Sequence, residues 1–481
     1  MFNFKQITGC VLLATAAASF QLSAQAAVPI AHWTLPNGAK IYLASVDALP
    51  IVDLELDFDA GSRRDPPAQA GLGGVMAGMV EKGVKAAESA APGRPKQARV
   101  ASGGSEDMSV PGVRATYAMA MDENALGEAW ADLGAAFNVG ASSERLSFTL
   151  RSLSDPALLG KAIELASRQI GDPSFPEDVW LRERERIGAA IKEANTKPAT
   201  IAGRAFAQAV YGSHPYGQET TSETLARISA VDLRARYASL IVPCRAKLSI
   251  VGAVTRAQAE TMAMALLSRL PGGGADSANG ACAALPAIAA IAPLAAARDE
   301  RIAFASAQAH VLIGQPGYRR SDPDHFALTL GNYILGGGGF VSRLTEEVRE
   351  KRGLSYSVYS GFAPGLEAGA FRLSLQTRPD QVDEAVKVSR QVLAKFVADG
   401  PTEAELKAAK DNLIGGFPLL LDSNRKLLGN IANMAWNDLP LDYLETWTDR
   451  MNAITVTDIT SAFARKLQPD RMVTVVVGGA Q

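Results

Sequence analysis

Hydrolysis by a bound metal needs neutral imidazoles and carboxylates that converge on one ion and leave a position open for water. This sequence is poor in such side chains. Its four histidines are His32, His214, His310 and His325, and no two have ligand-like helical spacing. There is no C-x-x-C, no Cys/His cluster and no G-x-S-x-G. His214, in HPYG, reads as a turn residue. Ser423-Asn424-Arg425-Lys426 fits S-x-x-K, but the companion S-D-N and K-T-G elements are missing, so the match reads as chance. Gly336 to Gly339 is not followed by G-K-[ST], which leaves a flexible turn and not a phosphate cradle.

The 481 residues exceed one ordinary domain. With 47% apolar and 20% charged residues, a packed core is expected. The net charge of −2 and the lack of a basic stripe argue against nucleic acid as a partner. The first 26 residues read as a cleavable secretory signal: Lys5, a short apolar run from Val11 to Phe20, then Ala24-Gln25-Ala26. The run is too short to span a bilayer, so no stable membrane insertion is expected. Cys10 precedes it and is badly placed for lipid attachment. After cleavage Cys244 and Cys282 remain. They could pair in an oxidising compartment, but two unrelated thiols is the simpler reading.

Residues 271–297 are dominated by Ala, Gly and Pro and read as a linker. The chain on either side repeats itself. ISAVDLRARYASLIVPCRAKLSIVG begins at Ile228 and ITVTDITSAFARKLQPDRMVTVVVG at Ile454, 226 residues on and without a gap. GSRRDPPAQAGL at Gly61 matches GYRRSDPDHFAL at Gly317, 256 residues on. The first half therefore carries extra residues, placed in a polar insertion at about 85–120. The halves are read as 27–270 and 298–481. Val52, Leu54, Leu56 and Phe58 alternate with acids, as a half-buried strand does. Val382 to Phe396 has helical spacing and stops near Gly400-Pro401, where Thr402 and Glu405 form the next capping box.

AGLGGVMAGMVEKG (Ala70–Gly83), SHPYGQETT at Ser213 and ILGGGGFVSRLTEEVREKRGLSYSVYSGF in the second half carry a resemblance to the M16 family, which includes pitrilysin, insulinase and mitochondrial processing peptidase. The resemblance implies an α+β fold of duplicated M16 modules, two homologous halves making one half of a clamshell. The first stretch stands where family members carry an inverted zinc motif, H-x-x-E-H. The two ligand histidines fall on Gly74 and Gly78, the base glutamate on Ala77, and the distant ligand near Ala190, with Glu185 and Glu193 as poor substitutes. Its only acid is Glu81. The expectation is that this chain binds no metal cofactor of its own, and that zinc belongs to a partner subunit.

The second half keeps what the first lost. VREKRGLSY holds Arg349 and Tyr356, which in the family reach the substrate near the zinc. Such donors can stabilise the charge that develops on a scissile carbonyl oxygen. Arg352 is a rival with poorer spacing. The glycine-rich loop, through Gly337 and Gly338, is a candidate substrate contact. The resemblance implies a periplasmic, non-zinc subunit of a heteromeric M16 metallopeptidase, with an H-x-x-E-H chain and a peptide as partners. The alternative is a catalytically inactive scaffold or peptide-binding protein on the same fold.

Overall fold

A computed structural model describes residues 29–86, 119–272 and 282–479. The leader, most of the 85–120 insertion and part of the 271–297 linker lie outside the described residues.

The first half supplies β1 (Ile30–Thr34), β2 (Lys40–Ser45), β3 (Ile51–Phe58), a two-residue ribbon of β4 (Gly83–Val84) and β5 (Met121–Asp122), then β6 (Ala136–Ala141), β7 (Leu146–Leu153) and β8 (Lys247–Gly252). The second half supplies β9 (Arg298–Ile302), β10 (Ala309–Tyr318), β11 (Val358–Phe362), β12 (Gly369–Thr377) and β13 (Val473–Val477). Apart from the ribbon, they form two sheets ordered β1-β2-β8-β3-β7-β6 and β9-β13-β10-β12-β11. Setting β1 aside, the orders coincide. In each, the β2–β8 or β9–β13 pair is parallel and the other pairs are antiparallel.

The helices follow the same repeat. Pro156–Gly171, Glu177–Ala194, Pro198–Tyr211 and Ala230–Leu240 each have a counterpart beginning 226 residues later, at Val382, Glu403, Asn424 and Val456. Local sequence sets their ends. Ser229 with Asp232, Thr402 with Glu405 and Thr455 with Asp458 form reciprocal capping boxes that satisfy otherwise unbonded first-turn donors. No helix among the described residues is long and apolar enough to cross a membrane.

The halves exchange helices. Pro198–Tyr211 lies on β10 and β13 of the second sheet, and its counterpart Asn424–Trp436 lies on β3 and β8 of the first. This corrects the expectation that β3 has one watered face. Val52, Leu54, Leu56 and Phe58 are buried as expected, but so are Asp53 and Asp57 on the opposite side. The acids are matched with cations. Arg151 binds Asp53 at 2.7 and 3.0 Å, and Arg145 binds Asp57 at 3.0 Å. Lys247 Nζ donates to the carbonyls of Ala435 (2.7 Å) and Trp436 (3.2 Å) and to Asp438 (2.9 Å).

Glu55, in this layer, has its carboxyl pushed up to about 7, first by burial and then by the charge of Asp57, with Arg145 opposing. The folded protein therefore holds a proton that the unfolded chain has already released. That contribution is fully present below the unfolded value, near 4.5, and is lost as pH rises through about 7. Glu55→Gln is expected to match the parent at pH 4.5 and to exceed its stability by about 2 kcal/mol at pH 8. Chemical denaturation at the two pH values measures this.

The linker is tied down along its described part. Cys244 and Cys282 form a disulfide with Cα atoms 5.7 Å apart, which replaces the reading of two unrelated thiols. Arg245 Nη2 donates to the Ala283 carbonyl at 3.1 Å, and His214 Nε2 to that of Ala289 at 3.1 Å. Leu294 packs against the cluster of Phe206, Val473 and Val475, so the linker touches both halves.

Candidate functional site

The helix Leu72–Val80 begins where Gly71 takes φ 103°, a conformation that L side chains rarely adopt. Asp65 accepts from the amides of Gly71 (3.0 Å) and Gly73 (2.9 Å), capping the helix from a buried position. Burial pushes its carboxyl up to about 6, against the pull of those amides. Leu72, Val75, Met76, Met79 and Val80 are buried, as is Ala77. Gly74 and Gly78, four residues apart, are exposed on one face. A Cβ at either would meet nothing within 4 Å.

The frame of a two-histidine site is thus present, and its donors are absent. A cavity of about 750 Å³ lies in front, lined by Gly74, Ser142, Ile187, Ile191, Arg204 and Glu219 among others. The helix Glu177–Ala194 turns Ile187 and Ile191 into this space. Ala190, Glu185 and Glu193 lie on the same helix, outside the cavity's lining. Among the described residues, no three His, Cys, Asp or Glu side chains are grouped closely enough to hold an ion. The residues at this place do not fit zinc, because Gly, Ala and Ile carry no donor atom.

Packing does not require glycine at 74 or 78. Each lies inside a helix, where glycine costs roughly 0.5–1 kcal/mol relative to alanine. Gly74→Ala and Gly78→Ala are each expected to raise the unfolding free energy by about that amount. A shifted midpoint at constant slope in urea titration checks this.

β6 is the outer strand of its sheet. Ser142 N donates to Arg145 O, so one alternate set of backbone groups faces β7. Val139 belongs to the opposite set, and its N–H donates to Glu81 Oε1 at 3.1 Å. The one acid of the degenerate stretch thus covers a donor that an added strand would use.

At the other end of the repeat, two segments wind as π-helix, Tyr333–Gly337 and Thr345–Glu350. Gly338 N bonds Tyr333 O at 2.7 Å, and Lys351 N bonds Glu346 O at 2.9 Å, both across five residues. Such turns are rare and recur at functional sites. Gly336 lets the first segment lie on β11; a Cβ there would sit 2.5 Å from Ser360 Oγ. Gly337 is exposed and Gly338 half-buried. Side chains on them would approach Asn332 Nδ2 and Tyr333 O, each at 2.8 Å.

Arg349 sits on the second π segment. Its guanidinium carbon lies 5.0 Å from the ring centre of Tyr356 and 4.6 Å from that of Phe340, and its Nε is 3.3 Å from Glu350 Oε1. Tyr356 is 81% exposed, not packed in the core. Its neighbours hold it there. Ser355 Oγ lies between the carbonyls of Ser357 (2.6 Å) and Gln376 (2.7 Å), which share its one proton, and Thr377 Oγ1 donates to that of Leu354 (2.6 Å). Arg352 is committed elsewhere, to the Glu347 carboxylate (2.6 Å) and carbonyl (2.7 Å). The structure therefore brings Arg349 and Tyr356 together beside the glycine loop. It adds Phe340, 72% exposed, which sequence reasoning passed over.

A duplicated α+β chain with a metal-site helix stripped of its donors, and an exposed Arg–Tyr pair in its other half, has the architecture of a peptidase homologue without metal ligands. The chain belongs to the M16 peptidase family. The profile described as "Peptidase M16 inactive domain" matches residues 227–413. A solved peptidase M16 inactive domain from Pseudomonas fluorescens is 31% identical, with a TM-score of 0.81, covering 94% of this chain and 98% of that one. An uncharacterized zinc protease of Streptomyces coelicolor is 30% identical over 266 residues, which are 54% of this chain and 57% of that protein's own length. A Helicobacter pylori protein named as a non-peptidase homolog is 23% identical over 67% of this chain and 72% of its own.

Proposed function

We propose that this chain is the non-zinc subunit of a heteromeric M16 metallopeptidase, acting outside the cytoplasm in the periplasm. The observation that carries the reading is the contrast between its two halves. The helix Leu72–Val80 keeps its fold with Gly74 and Gly78 exposed and no donor, while Arg349 and Tyr356 are held together at the surface. The leader pattern and the Cys244–Cys282 disulfide support an oxidising destination.

The partner supplies the metal and the general base. This chain supplies two donors that a peptide can meet. As the carbonyl carbon becomes tetrahedral, negative charge gathers on its oxygen. The Tyr356 hydroxyl and the Arg349 guanidinium donate to that oxygen or to the peptide backbone beside it. The glycine loop at Gly337 and Gly338 leaves room for the backbone to approach. The same fold without catalysis, a scaffold or peptide-binding protein, is the competing reading, and the name of the Helicobacter relative favours it.

Reconstitution separates the two. The chain is mixed with an H-x-x-E-H-bearing M16 chain from the same cells, and cleavage of an unstructured fluorogenic peptide is followed. Neither chain alone should cleave, and the mixture should. A partner chain that is fully active by itself would contradict the proposal.

A further inference from the structure

We propose that Phe340 is a positioning residue that fixes the Arg349 guanidinium beside Tyr356, an inference that rests on the function proposed above. Phe340 lies 4.6 Å from the guanidinium carbon, closer than Tyr356 at 5.0 Å. It is 72% exposed, and Val341 beside it is 74% exposed, so burial does not explain the side chain. An unrestrained arginine on a surface loses considerable rotamer freedom when it is fixed for one hydrogen bond. A ring stacked on the flat face of the guanidinium restricts those rotamers and leaves the edge N–H groups free to donate. Glu350 restrains the same group from its Nε side. The segment Gly339–Val341 is a short 3-10 turn beginning at Gly339, whose φ of 60° favours glycine, and it delivers the ring to this spot.

The experiment uses Phe340→Leu, which keeps apolar volume without a ring, and Phe340→Tyr, which restores the ring. Both are made in the full chain, alone and combined with Arg349→Ala. Because Phe340 is exposed, folding should be unaffected. In the assembled pair, Phe340→Leu is expected to lower kcat/KM roughly 3–10-fold, and Phe340→Tyr to return it to the parent value. On the Arg349→Ala background, Phe340→Leu should cost nothing further, because the residue acts through the arginine. An equal loss on both backgrounds overturns the inference, as does no loss on the parent background when Arg349→Ala itself lowers turnover. So does loss of the complex by native mass, which would make Phe340 an assembly contact.

A second readout needs no activity. In the free chain, the side-chain NMR resonances of Arg349 should move when Phe340→Leu removes the ring current, and return with Phe340→Tyr. Unmoved resonances overturn the inference. If Arg349→Ala leaves turnover intact while the resonances move, the proposed function fails and the positioning role stands.

Discussion

Arg349→Ala in the reconstituted pair is expected to lower kcat/KM by about 10²–10³-fold, and Tyr356→Phe by a comparable factor, while the complex should still assemble. That range is the usual cost of removing one donor aimed at a developing oxyanion, about 2.7–4 kcal/mol. Tyr356→Phe is the sharper of the two. It keeps the ring on which Arg349 rests and removes only the hydroxyl. Tyr356 is 81% exposed, so neither packing nor stability should suffer. Arg349→Lys should recover only part of the loss, since an ammonium offers neither the planar fork nor the stacking face. The loss should fall mainly in kcat if the donors act on the transition state, and mainly in KM if they only hold the peptide. Circular dichroism, native mass and peptide kinetics on the same samples separate these cases. Full activity with both residues replaced would remove their assigned role.

The second large effect is structural. Glu144, in the turn between β6 and β7, joins the two halves through one carboxylate. It accepts from Leu366 N at 2.6 Å and Trp436 Nε1 at 2.8 Å, and from the hydroxyl of Tyr216. Leu366 precedes β12, Trp436 ends the exchanged helix, and Tyr216 follows the helix exchanged the other way. The Arg145 guanidinium lies 5.4 Å from the Trp436 ring centre. Glu144→Ala strands three donors at a half-buried interface and should destabilise the fold by about 2–4 kcal/mol. Glu144→Gln retains one acceptor oxygen and should lose less. Denaturant unfolding measures both, and a loss under about 0.5 kcal/mol, the level of an ordinary surface substitution, would show that the contact does not join the halves.

Sequence shows what local chemistry decides. The 226-residue repeat was legible because capping boxes, turn prolines and apolar strands are written in neighbouring residues. It extends to four helix pairs in the structure. The second face of β3 was misread, since Asp53, Glu55 and Asp57 look watered until the exchanged helix Asn424–Trp436 covers them. The Cys244–Cys282 pairing was also out of reach, because 38 residues separate the thiols and only the fold brings them together. In the site, Gly74, Ala77 and Gly78 could be placed because the surrounding motif is dense. The distant ligand position near Ala190 is less sharply marked, because the helix Glu177–Ala194 has no comparably dense motif around it. Arg349 and Tyr356 were legible as a pair through their motif, and the fold sets them side by side. Phe340 was not, since a single aromatic after four glycines carries no pattern, and the π-turns that aim Arg349 leave no sequence signature beyond those glycines.

The central claim, that this chain completes a site whose metal is held by another chain, is tested most directly by recovering the tagged protein from the cells that make it. Its native mass and zinc content are then measured together. The account predicts a mixed assembly with one zinc per pair, lost when the H-x-x-E-H chain is replaced by a ligand-free variant and unchanged by Arg349→Ala. A metal-free monomer or a homodimer, with no such chain bound, would contradict it and leave the scaffold reading.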